Sequence, residues 1–140
     1  MPLQFLAPLH KAGRKITRHL ENHLKRSGLS SGEAHILIYL RECGPCTVGV
    51  LQIISGCKRS TLTSTLDRLS SKSFVVRKAH PGDRRAVLVH ITSRGRTQAA
   101  QISRHMEALE TAIRNRVRVK EIEGFNQVLA AITAVTQIDN

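Results

Sequence analysis

Between residues 74 and 91 the apolar residues stop recurring every three or four positions and form two short runs, and this switch constrains the fold more than any other feature. "FVVRKA" and "AVLVHI" are β-branched runs of strand length. Between them lies "HPGDRR", whose Pro81-Gly82 marks a turn, so the two runs read as a β-hairpin.

Helical patterns occupy the rest. Residues 3–26 carry Leu6, Leu9, Ile16, Leu20 and Leu24, several of them three or four apart. A second helix starts at Ser30, which forms a capping box with Glu33 and leads into Ile36, Leu37 and Leu40. Gly44-Pro45 ends it, because the residue before a proline avoids the helical region. Thr47 caps a short helix, "VGVLQII"; Ser55-Gly56-Cys57 is a turn; "KRSTLTSTLDRLSSK" is a further helix with Leu62, Leu66 and Leu69 on one face. After the hairpin, Thr92 caps a long helix marked by Ile102, Met106, Leu109, Ile113 and Val117. A last helix near 120–137 carries Ile122, Phe125, Leu129 and Ile132. The chain therefore reads as mainly α with a small β-hairpin (α+β).

Charge narrows the function. Twenty-two Lys and Arg oppose ten Asp and Glu in 140 residues, a net +12, and the isoelectric point is near 10.9. Such a chain suits a polyanion, nucleic acid before an anionic membrane surface. No apolar run approaches the roughly 20 residues of a membrane span. The apolar N-terminal patch lacks a preceding basic region and a cleavage site, so it reads as mature protein. With no Trp and few aromatics, stacking on single-stranded bases has little to work with.

The charge is concentrated. From Lys58 to Arg96 ten cations face only Asp67 and Asp83, a net +8. Most charge runs are solvated faces, but this one overlies a leucine-faced helix. That helix opens on Lys58, Arg59, Ser60, Thr61, Thr63 and Ser64, short hydroxyls and cations that reach base edges and phosphates. A short helix, a turn and a second helix of this kind form a helix-turn-helix, with the second helix in the major groove. Arg84 and Arg85 then sit at the tip of a β-ribbon, within reach of a neighbouring minor groove.

"GPCTVGVL", "KRSTLTSTLDRL", "VVRKAHPGDRRAVLVHIT" and "TSRGR" together resemble the MarR family of bacterial transcriptional regulators over about residues 30–97. The resemblance implies a winged helix-turn-helix on a homodimer whose first and last two helices intertwine. Such dimers bind a pseudo-palindromic operator, usually as repressors. Many release it when a small, often phenolic, effector binds between the two regions, or when a sensor cysteine oxidises. Carried over by position, Arg59, Ser60, Thr61, Thr63 and Ser64 lie on the recognition helix. Asp83, Arg84 and Arg85 lie on the wing, where the family's Asp orients an Arg; Lys58, Arg68 and Arg77 complete the expected DNA-binding set. The chain departs from the family pattern at Lys58, where Ser commonly caps the helix, at Gln52 and Ser55, and at Ser73, where Gly often ends the helix.

Cys43-Gly44-Pro45-Cys46 is the dithiol of thioredoxin-like oxidoreductases, but there it opens a helix whose N-terminus stabilises a thiolate. Here Cys43 follows "HILIYLRE", so it closes a helix, where the dipole disfavours that charge. A reversible Cys43–Cys46 bond remains as a regulatory switch. Cys57 reads first as a small buried hydrophobe, with a redox role as the alternative. His19 and His23, four apart, share a helix face that suits Zn²⁺, but no third ligand is visible nearby.

The expectation is therefore a cytoplasmic, homodimeric, sequence-specific regulator of double-stranded DNA, with no enzymatic activity, cofactor, resident metal or membrane partner. Residues 1–29 form an N-terminal dimerisation helix, 30–97 the DNA-binding domain, and 98–140 the C-terminal dimerisation helices. The rival classes are a thiol oxidoreductase, a nonspecific DNA-packaging protein, and the same regulator gated by thiol oxidation.

Overall fold

The computed structural model describes residues 3–137; positions 1, 2 and 138–140, the extreme ends of the regions 1–29 and 98–140, lie outside the described residues. Along the chain come α1 (Leu6–Leu24), α2 (Ser31–Cys43), β1 (Cys46–Thr47), α3 (Val48–Ser55), α4 (Arg59–Ser71), β2 (Val75–His80), β3 (Asp83–Ile91), α5 (Ser93–Arg114) and α6 (Val119–Thr136).

Local chemistry sets most boundaries. Ser30 Oγ accepts the Glu33 N–H at 3.2 Å, and Thr47 Oγ1 accepts that of Val50 at 3.2 Å, each satisfying a first-turn donor. Thr92 Oγ1 does the same for Gly95 at 3.0 Å. Gly44 (φ 80°) ends α2, and its N–H reaches the Leu40 carbonyl. The end of α4 is a Schellman turn: Phe74 N–H bonds the Leu69 carbonyl and Ser73 N–H that of Ser70, both at 3.0 Å. Its left-handed residue is Ser73, at φ 61°, a conformation that glycine adopts more cheaply.

Several sequence expectations need adjusting. The first helix starts at Leu6 and ends at Leu24, inside the expected 3–26. The long helix stops at Arg114 rather than running through Val117, because Arg116 and Val117 turn back onto the carbonyls of Ile113 and Arg114. Glu121 then accepts the Arg118 N–H at 2.8 Å and starts α6.

The hairpin loop is also shorter than "HPGDRR". Asp83 already belongs to β3 and pairs with His80, leaving Pro81-Gly82 as the turn. His80 Nδ1 accepts the Gly82 N–H and Asp83 Oδ1 that of Arg85, both at 2.9 Å, so polar side chains replace ladder partners and let the strand run into the turn. Arg84 and Arg85 are therefore strand residues rather than loop residues. The sheet has three strands, in the order β1-β3-β2. Two-residue β1, absent from the sequence reading, exists only through Cys46↔Val89 and Thr47↔Leu88.

Two compact units divide the chain, Met1–His105 and Met106–Asn140. The first holds the buried core. Leu37, Leu40, Leu51, Leu62, Leu66, Leu69, Val75 and Val89 are all fully buried, so the leucine faces read from sequence do point inward. Gly95 allows α5 to lie against the chain entering β2. A Cβ there would clash with the Phe74 carbonyl oxygen and stand 2.8 Å from Ile91 Cγ1. In the second unit no residue of α6 is buried, and Val119, Ile122, Phe125, Leu129 and Val135 are exposed.

Candidate nucleic-acid interface

The first two turns of α4 present an unbroken polar surface. Arg59, Ser60, Thr61, Thr63 and Ser64 are exposed, while Leu62, Thr65, Leu66 and Leu69 of the same helix are buried. The hydroxyls of Thr63 and Ser64 donate back to the carbonyls of Arg59 and Ser60, at 2.9 and 3.1 Å. Their outward lone pairs stay available. Lys58 stands at the N-cap without a side-chain bond to the helix, leaving the first-turn N–H groups without a side-chain acceptor.

Acidic partners sort the cations. Arg68 Nε lies 3.0 Å from Glu33 Oε1, and Lys72 Nζ 2.8 Å from Glu33 Oε2. Arg77 Nη2 lies 2.6 Å from Asp67 Oδ1. Arg94 stacks over the Phe74 ring at 5.4 Å. Of the cations between Lys58 and Arg96, those with no acidic partner among the described residues are Lys58 and Arg59 at the start of α4, Lys78, Arg84 and Arg85 on the hairpin, and Arg94 and Arg96 in the first turn of α5.

Sequence reading missed the role of Glu33. The residue is 2% exposed, yet it carries a charge. Burial pushes its carboxyl up, but hydrogen bonds from Lys72 and Arg68 outweigh that and hold it below the ordinary value of 4.5. The partners are 35 and 39 residues away, so no local spacing pointed to them.

On the hairpin, Asp83 bonds the backbone of Arg85, not an arginine side chain. The register slips after Ala79↔Val87 to His80↔Asp83, which leaves Arg84, Arg85 and Ala86 as extra residues on β3. Such a bulge turns side chains out of the sheet.

The cysteines are all free thiols. Cys43 is exposed at the end of α2, Cys46 is buried in β1, and Cys57 is half-buried rather than fully buried. Cys46 Sγ donates to the Gly44 carbonyl at 3.2 Å, and burial, then the charge of Cys43, pushes its thiol up. Cys57 Sγ lies 2.9 Å from Ser55 Oγ. It helps line a cleft of about 500 Å³ among α2, α3 and α4, with His35, Tyr39, Glu42, Ile54 and Thr61.

The histidine face of α1 gains a third ring from α5. His23 stacks on His105 at 4.5 Å and meets His19 edge-on at 4.8 Å. Among the described residues, no three His, Cys, Asp or Glu are arranged to hold a metal ion.

A model of the MarR family matches residues 29–87. The HTH-type transcriptional regulator PecS of Dickeya dadantii (strain 3937) is 34% identical over 97 residues, covering 67% of this chain and 58% of that protein. The HTH-type transcriptional regulator MhqR of Bacillus subtilis (strain 168) is 29% identical over 93 residues, covering 66% and 64%. The chain thus spans about three fifths of the length of these curated relatives. In structure it is similar to S. aureus MepR in its DNA complex, with a TM-score of 0.88 at 14% identity over 96% of this chain and 99% of the other. It is likewise similar to a cysteine mutant of E. coli MarR complexed with operator DNA, with a TM-score of 0.80 at 24% identity over 90% and 91%. These likenesses establish a winged helix-turn-helix fold.

Proposed function

The chain belongs to the MarR family, and on that premise we propose that it is a transcriptional regulator, not an enzyme, that binds double-stranded operator DNA. The carrying observation is the start of α4, where Lys58, Arg59, Ser60, Thr61, Thr63 and Ser64 offer cations and outward hydroxyls over an underside of buried Leu62, Thr65, Leu66 and Leu69. In this reading α4 enters the major groove and the Arg84 and Arg85 side chains reach the adjacent minor groove. Arg68 and Arg77, also expected at the interface, flank this surface and are ion-paired within the chain.

The working species is a homodimer on a pseudo-palindromic operator, acting in the cytoplasm as a repressor. Residues 30–97 bind DNA, while 1–29 and 98–140 hold the dimer. The exposed apolar residues of α6, with Leu3, Phe5, Leu6 and Ile16 near the N-terminus, support that division, since such a surface is what an obligate interface buries. A small phenolic effector releases the DNA. The cleft beside α4 supports this, its volume lying in the range of small-molecule sites. Gating by oxidation of Cys43, Cys46 or Cys57 is the less favoured alternative, since Cys46 is buried and its thiol is held protonated.

Selection from random duplexes tests this reading. Enrichment of a palindromic site, with a dimer mass by light scattering, is the expected result. Binding without sequence preference would favour the packaging alternative, and insulin reduction by the free thiols would favour the oxidoreductase.

A further inference from the structure

We propose that Glu33 is a positioning residue for DNA binding: from α2 it clamps Arg68 of α4 and Lys72 at the C-cap of that helix, and so sets how the start of α4 is presented, which makes Arg68 a brace instead of a DNA contact. The inference rests on the DNA-binding reading above.

The clamp joins the first turn of α2 to the last turn of α4. Glu33 Oε1 accepts Arg68 Nε at 3.0 Å and Ser30 Oγ at 3.2 Å; Oε2 accepts Lys72 Nζ at 2.8 Å. Lys72 also donates to the Gly28 carbonyl at 2.7 Å, and Arg68 to Thr65 Oγ1 at 3.4 Å. A Glu at this position that served only the capping box would return to the N-cap backbone and stay solvated. This one is buried, and besides the Ser30 hydroxyl its oxygens accept from Arg68 and Lys72.

Geometry links the clamp to the DNA-facing end. Positions 60, 64, 68 and 72 recur every four residues, a stripe that drifts by only about 40° per step. Holding 68 and 72 therefore fixes where Ser60 and Ser64 point. The Arg59 end lies about 14 Å along the axis from the clamp, so a tilt of about 5° moves it by about 1 Å. Hydrogen bonds to bases do not survive displacements much larger than that.

The charge of Glu33 gives the test an informative sign. Glu33→Gln keeps the shape and removes an anion, and it frees Arg68 and Lys72 to reach phosphates. Electrostatics alone predicts tighter DNA binding. Positioning predicts weaker binding, by about tenfold, with the salt dependence unchanged. Arg68→Ala should also weaken binding without changing the salt slope, whereas a phosphate-contacting Arg would lower it by about one. Hydrogen exchange of the full-length, DNA-free protein gives a second readout: α4 amides should exchange faster in Glu33→Gln while those of α5 do not. The inference is overturned if Glu33→Gln binds the selected duplex as tightly as wild type or tighter, or if Arg68→Ala lowers the slope by about one. If Glu33→Gln does not fold, Lys72→Met, which leaves the Arg68 pair intact, takes its place in the affinity and exchange comparisons. Wild-type protein that binds no duplex defeats the DNA-binding reading instead, and α4 exchange still decides whether Glu33 holds the helix.

Discussion

Asp83 Oδ1 accepts the backbone N–H of Arg85 at 2.9 Å, so an acid at the wing tip shapes the chain from which an arginine projects. That bond gives the wing a testable sign. Arg84→Ala and Arg85→Ala should each weaken binding of the selected duplex by about 1–3 kcal/mol. Asp83→Ala should weaken it too, although removing an anion favours DNA electrostatically. A gel-shift titration in which Asp83→Ala binds more tightly would show that its charge outweighs its bond.

Gly95 faces the Phe74 carbonyl so closely that no Cβ fits. Gly95→Ala must push α5 away from the chain entering β2, against the Thr92 hydroxyl bonds to Ser73 O at 2.7 Å and from Gly95 N–H at 3.0 Å. A loss of about 1–3 kcal/mol in urea unfolding is expected. Wild-type stability in the variant would mean that this packing is loose.

Ser73 makes the opposite case. It holds the left-handed position of the α4 cap, with its side chain exposed. Ser73→Gly should stabilise the protein by about 0.5–1 kcal/mol, because glycine meets no Cβ penalty there. The Thr92 bond to the Ser73 carbonyl involves backbone and should persist. The measurement is the shift in thermal midpoint.

Glu33 predicts an acid limb to the stability curve. Its folded carboxyl titrates below 4.5, so the clamp contributes fully above that value. The contribution is lost as pH falls through 4.5 and on through the lowered folded value. Urea midpoints compared at pH 7 and pH 3.5 should fall further for wild type than for Glu33→Gln. Equal falls would mean that Glu33 does not titrate with folding.

The three thiols should separate by access. Ellman's reagent should label exposed Cys43 first and half-buried Cys57 more slowly, and reach buried Cys46 only on unfolding. Rapid labelling of all three in native protein would revive the idea of a Cys43–Cys46 switch.

The sequence by itself determined the features written within a few residues. Leucines at 62, 66 and 69 faced inward, Ser30, Thr47 and Thr92 stood at helix starts, and Pro81-Gly82 turned the hairpin, because helix pitch and turn chemistry act over one to four positions. The basic start of α4 was legible for the same reason, as a local run on a helix with one apolar face. Tertiary structure alone decided the rest. It brought Glu33 to Arg68 and Lys72, paired β1 with β3, seated Gly95 against Phe74 and stacked His105 on His23. Each of these joins residues that are distant along the chain or carry no periodic signal. Their meeting is fixed by how the buried faces pack, and an ion pair or a missing Cβ reveals its purpose only when its partner is in place.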